Sequence, residues 1–208
     1  MEKAKVKICG VTTREDTQLA VQLGADLVGV NFYPPSPRFI DPQDAAGILA
    51  DLPDHVVRVG VMVNESQSQI EAMLAQCPLD YVQLHGDESP AFCQALRDDG
   101  MKVIKALRIR DKRDLSRMED FDVELILLDA FHQDLYGGSG VAFDWSMLAQ
   151  EVAQRVLLAG GITPENVAEA LELSPWGIDL CSGVEAGKGR KDPVKLKALF
   201  EAVERFYE

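Results

Sequence analysis

Two groups able to pass protons across a substrate stand at the ends of apolar runs in this sequence. Cys9 closes the run Val6–Cys9, and Asp129 follows Leu125–Leu128. A thiol and a carboxyl on opposite sides of a bound molecule can act as general base and general acid, given hydrogen-bond reach. Lys7 lies two residues before Cys9. In an extended strand it points to the same side, roughly 6.6 Å away, and its ammonium would favour the thiolate. Arg38 follows the stiff stretch Pro34-Pro35-Ser36-Pro37, which suits a fixed two-pronged grip on a carboxylate. Gln83 and His85 alternate onto one face of their run, where they line a pocket or sit as satisfied core groups. Taken singly, Cys9 also reads as a small buried hydrophobe and Arg38 as a solvated loop residue. Asp129 has the stronger functional case, because a carboxyl ending a buried run must be compensated. Lys105 admits two readings, a Schiff-base lysine or a structural one lining the interior.

Two further stretches suit an anion. Gly160-Gly161 follows one apolar run, and Cys181-Ser182-Gly183 follows another. Each can bring bare backbone N–H groups close to a phosphate, although each alone is also a plain tight turn. Gly183-Val184-Glu185-Ala186-Gly187-Lys188 is one residue short of a Walker loop. Gly189 replaces the hydroxyl residue that would hold magnesium, so an ATP site is rejected.

Composition narrows the field. The 208 residues carry 21 Lys and Arg against 34 Asp and Glu, a net charge of −13. That balance argues against nucleic acid or an anionic membrane as the main partner, but not against an anionic small molecule in a locally positive site. With 47% apolar and 26% charged residues, the chain reads as globular and large enough for a sizeable core. No apolar run nears the ~18 residues of a membrane span, and the N-terminus lacks a secretory h-region. The four scattered cysteines and three histidines have no metal-site spacing, which points to a reduced, cytoplasmic protein without a structural metal.

The elements that must position these groups repeat. Strand-like runs occupy Val6–Cys9, Leu27–Phe32, Val56–Val63, Tyr81–Leu84, Lys102–Leu107, Leu125–Leu128, Arg155–Leu158 and Gly177–Leu180, as buried parallel strands would. Helical patterns follow at Glu15–Leu23, Gln43–Leu52, Ser66–Ala75, Pro90–Arg97, Lys112–Met118, Trp145–Gln154, Glu165–Leu173 and Val194–Phe206. Thr13, Asp41-Pro42, Ser89-Pro90, Thr163-Pro164 and Asp192-Pro193 mark helix starts, and Gly24 and Gly100 mark stops. Eight βα units without a linker predict a single (β/α)₈ TIM barrel over residues 1–208, in preference to an open doubly wound sheet. In such a barrel the C-terminal strand ends carry the chemistry, and phosphate commonly sits between the loops after strands seven and eight. Cys9, Arg38, Gln83, His85, Asp129, Gly160, Gly161, Asp179, Cys181, Ser182 and Gly183 all fall at or just beyond such ends. Three glycines in Tyr136-Gly137-Gly138-Ser139-Gly140 suit a lid over the mouth.

The combined motifs resemble the phosphoribosylanthranilate isomerase family. They are Lys7-Ile8-Cys9-Gly10, Phe32-Tyr33-Pro34-x-Ser36-Pro37-Arg38, Gln83-Leu84-His85-Gly86, Leu128-Asp129, Tyr136-Gly137-Gly138-Ser139-Gly140, Gly160-Gly161-Ile162-x-Pro164-Glu165-Asn166-Val167 and Asp179-x-x-Ser182-Gly183-Val184-Glu185. The resemblance runs from the first strand to the last helix. It implies an Amadori rearrangement in tryptophan biosynthesis without metal or cofactor. It also implies Cys9 as general base, Asp129 as general acid, Arg38 on the anthranilate carboxylate, and the loops after strands seven and eight on the phosphate. Lys7, Gln83, His85 and Asp179 are expected to contact the phosphosugar. Cys181 departs from the family's usual Ser, and Lys188 stands near where the family usually has a Pro before Gly189. A backbone contact at 181 would be unaffected, whereas a hydroxyl contact would be lost. The acid must be kept protonated and the base deprotonated near neutral pH. A phosphosugar epimerase or indole-forming synthase would share the phosphate loops but not the Cys9, Asp129 and Arg38 combination. A catalytically silent barrel would not need it. The expected assembly is a monomer, with a homodimer as alternative.

Overall fold

The computed structural model describes residues 3–130, 145–148 and 155–208. Eight parallel strands close in sequence order into a barrel: β1 (Lys5–Cys9), β2 (Leu27–Asn31), β3 (Val57–Met62), β4 (Tyr81–Leu84), β5 (Val103–Ile109), β6 (Leu125–Ala130), β7 (Val156–Leu158) and β8 (Gly177–Leu180). The register of β1 against β8, Lys7 opposite Asp179 and Ile8 opposite Leu180, completes the ring. Helices α1 (Arg14–Leu23), α2 (Pro42–Leu49), α3 (Gln67–Gln76), α4 (Pro90–Asp98), α5 (Val167–Glu172) and α6 (Pro193–Tyr207) cover the outside.

Strand alternation sorts the apolar residues into two layers. Leu27, Val59, Ile104, Ala106, Leu125, Leu127, Leu157 and Ala159 fill the barrel interior. Ile8, Val28, Val30, Leu84, Leu128 and Ile178 point outward into the larger layer beneath the helices. A strand buried on both faces explains the continuous apolar runs in the sequence.

Local signals set the helix ends. Thr13 caps α1 by accepting from Asp16 N, and Gly24 ends it in the left-handed region at φ 112°. Ser66 and Gln69 form a capping box on α3. The helical pattern Gln43–Leu52 stops at Leu49 and gives way to a turn at Ala50 and Asp51, ahead of Pro53, which disfavours helix at Leu52. The pattern Glu165–Leu173 begins only at Val167, because the Asn166 side chain closes a turn onto Thr163 N and Gly161 O. Lys112–Asp120 is a 3₁₀ segment rather than an α-helix. Its two packed apolar residues, Leu115 and Met118, are three apart and eclipse in that geometry. Trp145–Met147 is also a single 3₁₀ turn. The rest of the helix expected to Gln154, and the Tyr136–Gly140 motif, lie outside the described residues.

One element is absent from the sequence reading. After β8 a 3₁₀ turn, Ser182–Val184, leads into a short antiparallel hairpin of β9 (Glu185–Gly187) and β10 (Arg190–Lys191). Among the described residues, no helix is long and apolar enough to cross a membrane.

Candidate active site

The C-terminal strand ends surround a cleft that is open to solvent. Cys9, Arg38, Gln83, His85, Asp129, Gly160, Gly161, Asp179, Cys181, Ser182 and Gly183 all line it. Asn31 and Ser36 join them without having been singled out in the sequence. Lys7 does not line it, although it was expected to contact substrate. Its side chain is fully buried in the barrel interior, and its Nζ donates to Asp179 Oδ1 at 2.8 Å.

Cys9 and Lys7 share the inward face of β1 and crowd against Gly29 of β2. A Cβ at Gly29 would lie 3.0 Å from Cys9 Sγ and 3.2 Å from Lys7 Nζ, so any larger residue there would press on both side chains. The ammonium was expected to turn Cys9 into a thiolate. Burial instead pushes the Cys9 thiol up, and the Asp179 charge adds to that. The Lys7 ammonium and its hydrogen bond pull the other way without overcoming burial. Lys7 itself is held well above the usual lysine range, because the Asp179 and Cys9 interactions together outweigh its desolvation. In the unliganded site Lys7 is chiefly the counter-ion of Asp179.

Arg38 was expected to grip a substrate carboxylate from its stiff loop. It is buried, with Nε donating to Glu185 Oε1 and Nη2 to Glu185 Oε2, both at 2.8 Å. Glu185 Oε1 also accepts from Lys191 Nζ at 3.2 Å. Lys191 in turn donates to the carbonyls of Cys9 (2.6 Å) and Cys181 (3.2 Å), tying the ends of β1 and β8 together. Burial opposes ionisation of Glu185, yet the Arg38 hydrogen bonds and the Lys191 charge hold its carboxyl below the usual range. Sequence reasoning gave no role to Glu185 or Lys191. Their signal was present in Val184-Glu185 and in the Gly187-Lys188-Gly189 turn that folds Lys191 back.

Across the cleft, Asp129 ends the inward face of β6 and is 4% exposed. Its Oδ1 accepts from Ala130 N at 2.9 Å, and its Oδ2 lies 3.4 Å from His85 Nε2. The His85–Asp129 contact lacks hydrogen-bond alignment: His85 Nε2 has no hydrogen-bond partner among the described residues, and neither does Gln83 Oε1. Gln83 Nε2 and His85 Nδ1 are 3.0 Å apart. With Gln83 as donor, the histidine proton resides on Nε2, facing Asp129.

The loops after β7 and β8 meet. Gly160 and Gly161 have φ of 82° and 68°, a region that side chains resist. A Cβ at Gly160 would come 2.8 Å from Ala130 N and 3.1 Å from Asp129 Oδ1. A Cβ at Gly183 would overlap Ile162 O at 1.9 Å. Cys181 turns its thiol toward Glu185 Oε1 at 3.8 Å. Burial raises that thiol to about 12 despite the opposing Lys191 charge.

Lys105 is no Schiff-base candidate. It points outward from β5 and donates to Glu88 Oε2 at 2.6 Å and Gly86 O at 2.8 Å, bracing the turn after His85. No cluster of three or more His, Cys, Asp or Glu among the described residues could hold a metal ion.

The family model for N-(5'-phosphoribosyl)anthranilate (PRA) isomerase matches residues 6–202. The N-(5'-phosphoribosyl)anthranilate isomerase of Citrifermentans bemidjiense is 45% identical over 197 residues, covering 94% of each chain. The crystal structure of phosphoribosyl anthranilate isomerase from Thermotoga maritima superposes with a TM-score of 0.88 at 38% identity, covering 97% of this chain and 99% of that one. A phosphoribosyl anthranilate isomerase in complex with reduced 1-(o-carboxyphenylamino)-1-deoxyribulose 5-phosphate matches at TM-score 0.85 and 38% identity, with the same coverage. This chain belongs to the N-(5'-phosphoribosyl)anthranilate isomerase family.

Proposed function

We propose that this chain converts N-(5-phosphoribosyl)anthranilate to 1-(2-carboxyphenylamino)-1-deoxyribulose 5-phosphate in tryptophan biosynthesis, with Asp129 as general acid and Cys9 as general base. The observation that carries this reading is the shared cleft. A carboxyl and a thiol from different strands line it together with a guanidinium and two facing glycine turns. The substrate has matching parts: a reacting aminofuranose, a carboxylate and a phosphate.

Asp129 gives its proton to the furanose ring oxygen. The C1′–O bond breaks, and the nitrogen lone pair forms an iminium. Cys9, as thiolate, takes the proton from C2′, and those electrons neutralise the iminium as an enolamine. Tautomerisation gives the ketone. Positioned proton transfer of this kind contributes about 10²–10⁴-fold to the rate. Arg38 holds the carboxylate through the edge that Glu185 leaves. The amides of Gly160, Gly161, Ser182 and Gly183 hold the phosphate without a lysine. Gln83, His85 and Asp179 line the space for the sugar, and His85 Nε2 gains in the substrate or in Asp129 the partner it lacks.

The test is turnover by the purified chain, together with growth of a tryptophan auxotroph lacking only this isomerase. Absence of both would overturn the proposal.

A further inference from the structure

We propose that Glu185 is a positioning residue that sets the pose of Arg38 for the substrate carboxylate. This rests on the reading above that Arg38 holds that group. Glu185 does not touch the reacting carbons; it acts through the guanidinium.

The geometry is specific. A guanidinium offers two edges that can meet a carboxylate in a two-pronged fashion, Nε/Nη2 and Nη1/Nη2. Glu185 occupies the first, at 2.8 Å on both bonds. The second carries no hydrogen bond to a described residue. The Arg38 stem is confined as well. Gly10 stands where a Cβ would lie 2.7 Å from Arg38 Cδ, and Ser36 Oγ accepts from Arg38 N at 3.2 Å. A long side chain that normally loses rotamer entropy on binding is thus already fixed.

Charge sharing keeps the guanidinium attractive. Glu185 is 6% exposed and divides its single charge between Arg38 and Lys191. Because that one charge is spread over two cations, Glu185 orients Arg38 without fully neutralising it.

A four-member cycle tests the inference: the unaltered chain, Arg38→Ala, Glu185→Gln and the double variant, each confirmed folded by circular dichroism. Glu185→Gln is expected to raise KM for N-(5-phosphoribosyl)anthranilate about tenfold or more, with kcat changed by less than about threefold. In the Arg38→Ala background the same substitution is expected to change KM by less than about twofold, because its effect runs through Arg38. Equal KM increases in both backgrounds would overturn the inference, as would an unchanged KM in Glu185→Gln when Arg38→Ala raises it. A purely structural role would lower the unfolding temperature and leave KM in place. If Arg38→Ala itself leaves KM unchanged, the reading of Arg38 as the carboxylate holder fails, independently of Glu185. Should Glu185→Gln not fold, Glu185→Asp, which keeps the charge but withdraws it by one methylene, carries the same cycle with the same criteria.

Discussion

On the wall formed by β8, β1 and β2, each of the buried charges has a partner: Lys7 with Asp179, and both Arg38 and Lys191 with Glu185. On the wall formed by β4 and β6, Gln83 Oε1 and His85 Nε2 have none among the described residues, and Asp129 meets His85 only at an unaligned 3.4 Å. The first wall is held by ion pairs before any ligand arrives. The second leaves polar atoms whose burial costs free energy until a ligand satisfies them. Binding is therefore expected to reorganise the acid side and leave the base side nearly as it stands, the division that preorganised electrostatics favours.

The largest expected effects strike one group on each wall. Cys9→Ala and Asp129→Asn should each lower kcat by about 10²–10⁴-fold in a folded protein. Steady-state kinetics decide it, and more than a tenth of the original turnover in either variant would move that proton transfer elsewhere. Next is Gly183→Ala, whose methyl would overlap Ile162 O. It should force the two turns apart and raise the inhibition constant for inorganic phosphate by more than tenfold. An unchanged constant would separate the phosphate from these turns.

A pH profile sharpens the contrast further. The free-enzyme thiol of Cys9 is raised above its ordinary 9.0, chiefly by burial. A base must be deprotonated, so a raised value moves its limb to higher pH. Asp179 pushes Cys9 up and Lys7 pulls it down. Asp179→Asn should thus move the limb to lower pH, and Lys7→Met to higher pH. Shifts in the same direction for both would break the assignment of the base wall. The smallest effect is expected from Cys181→Ser. Its side chain turns toward Glu185 rather than acting as a hydroxyl ligand, so phosphate inhibition should change by less than about twofold.

The barrel was legible because eight apolar runs and their caps repeat one local rule, and each run can be read without its neighbours. Cys9, Gln83, His85 and Asp129 were legible for the same reason, since strand alternation alone puts them at the mouth. Arg38 and Lys7 were visible as residues but not as ion pairs. Their partners lie 147 and 172 positions away, and nothing in the local pattern announces such a contact. Glu185 and Lys191 were missed because the excursion over residues 181–192, between β8 and the last helix, is too broken for a helical or strand period to show. The 3₁₀ form of Lys112–Asp120 escaped because one apolar pair, three apart, suits either helix type.

The Lys7–Asp179 contact also sets a timetable for synthesis of the chain. The two residues are 172 positions apart, an interval of on the order of 10–30 s at ribosomal rates. Until Asp179 emerges, the first strand carries an ammonium with no counter-ion and an edge with no neighbour. A nascent chain stalled before β8 therefore holds Cys9 and Arg38 but neither of the carboxylates that restrain their surroundings. The oldest strand waits for the youngest, so the ion pair beneath Cys9 can form only once β8 has been made.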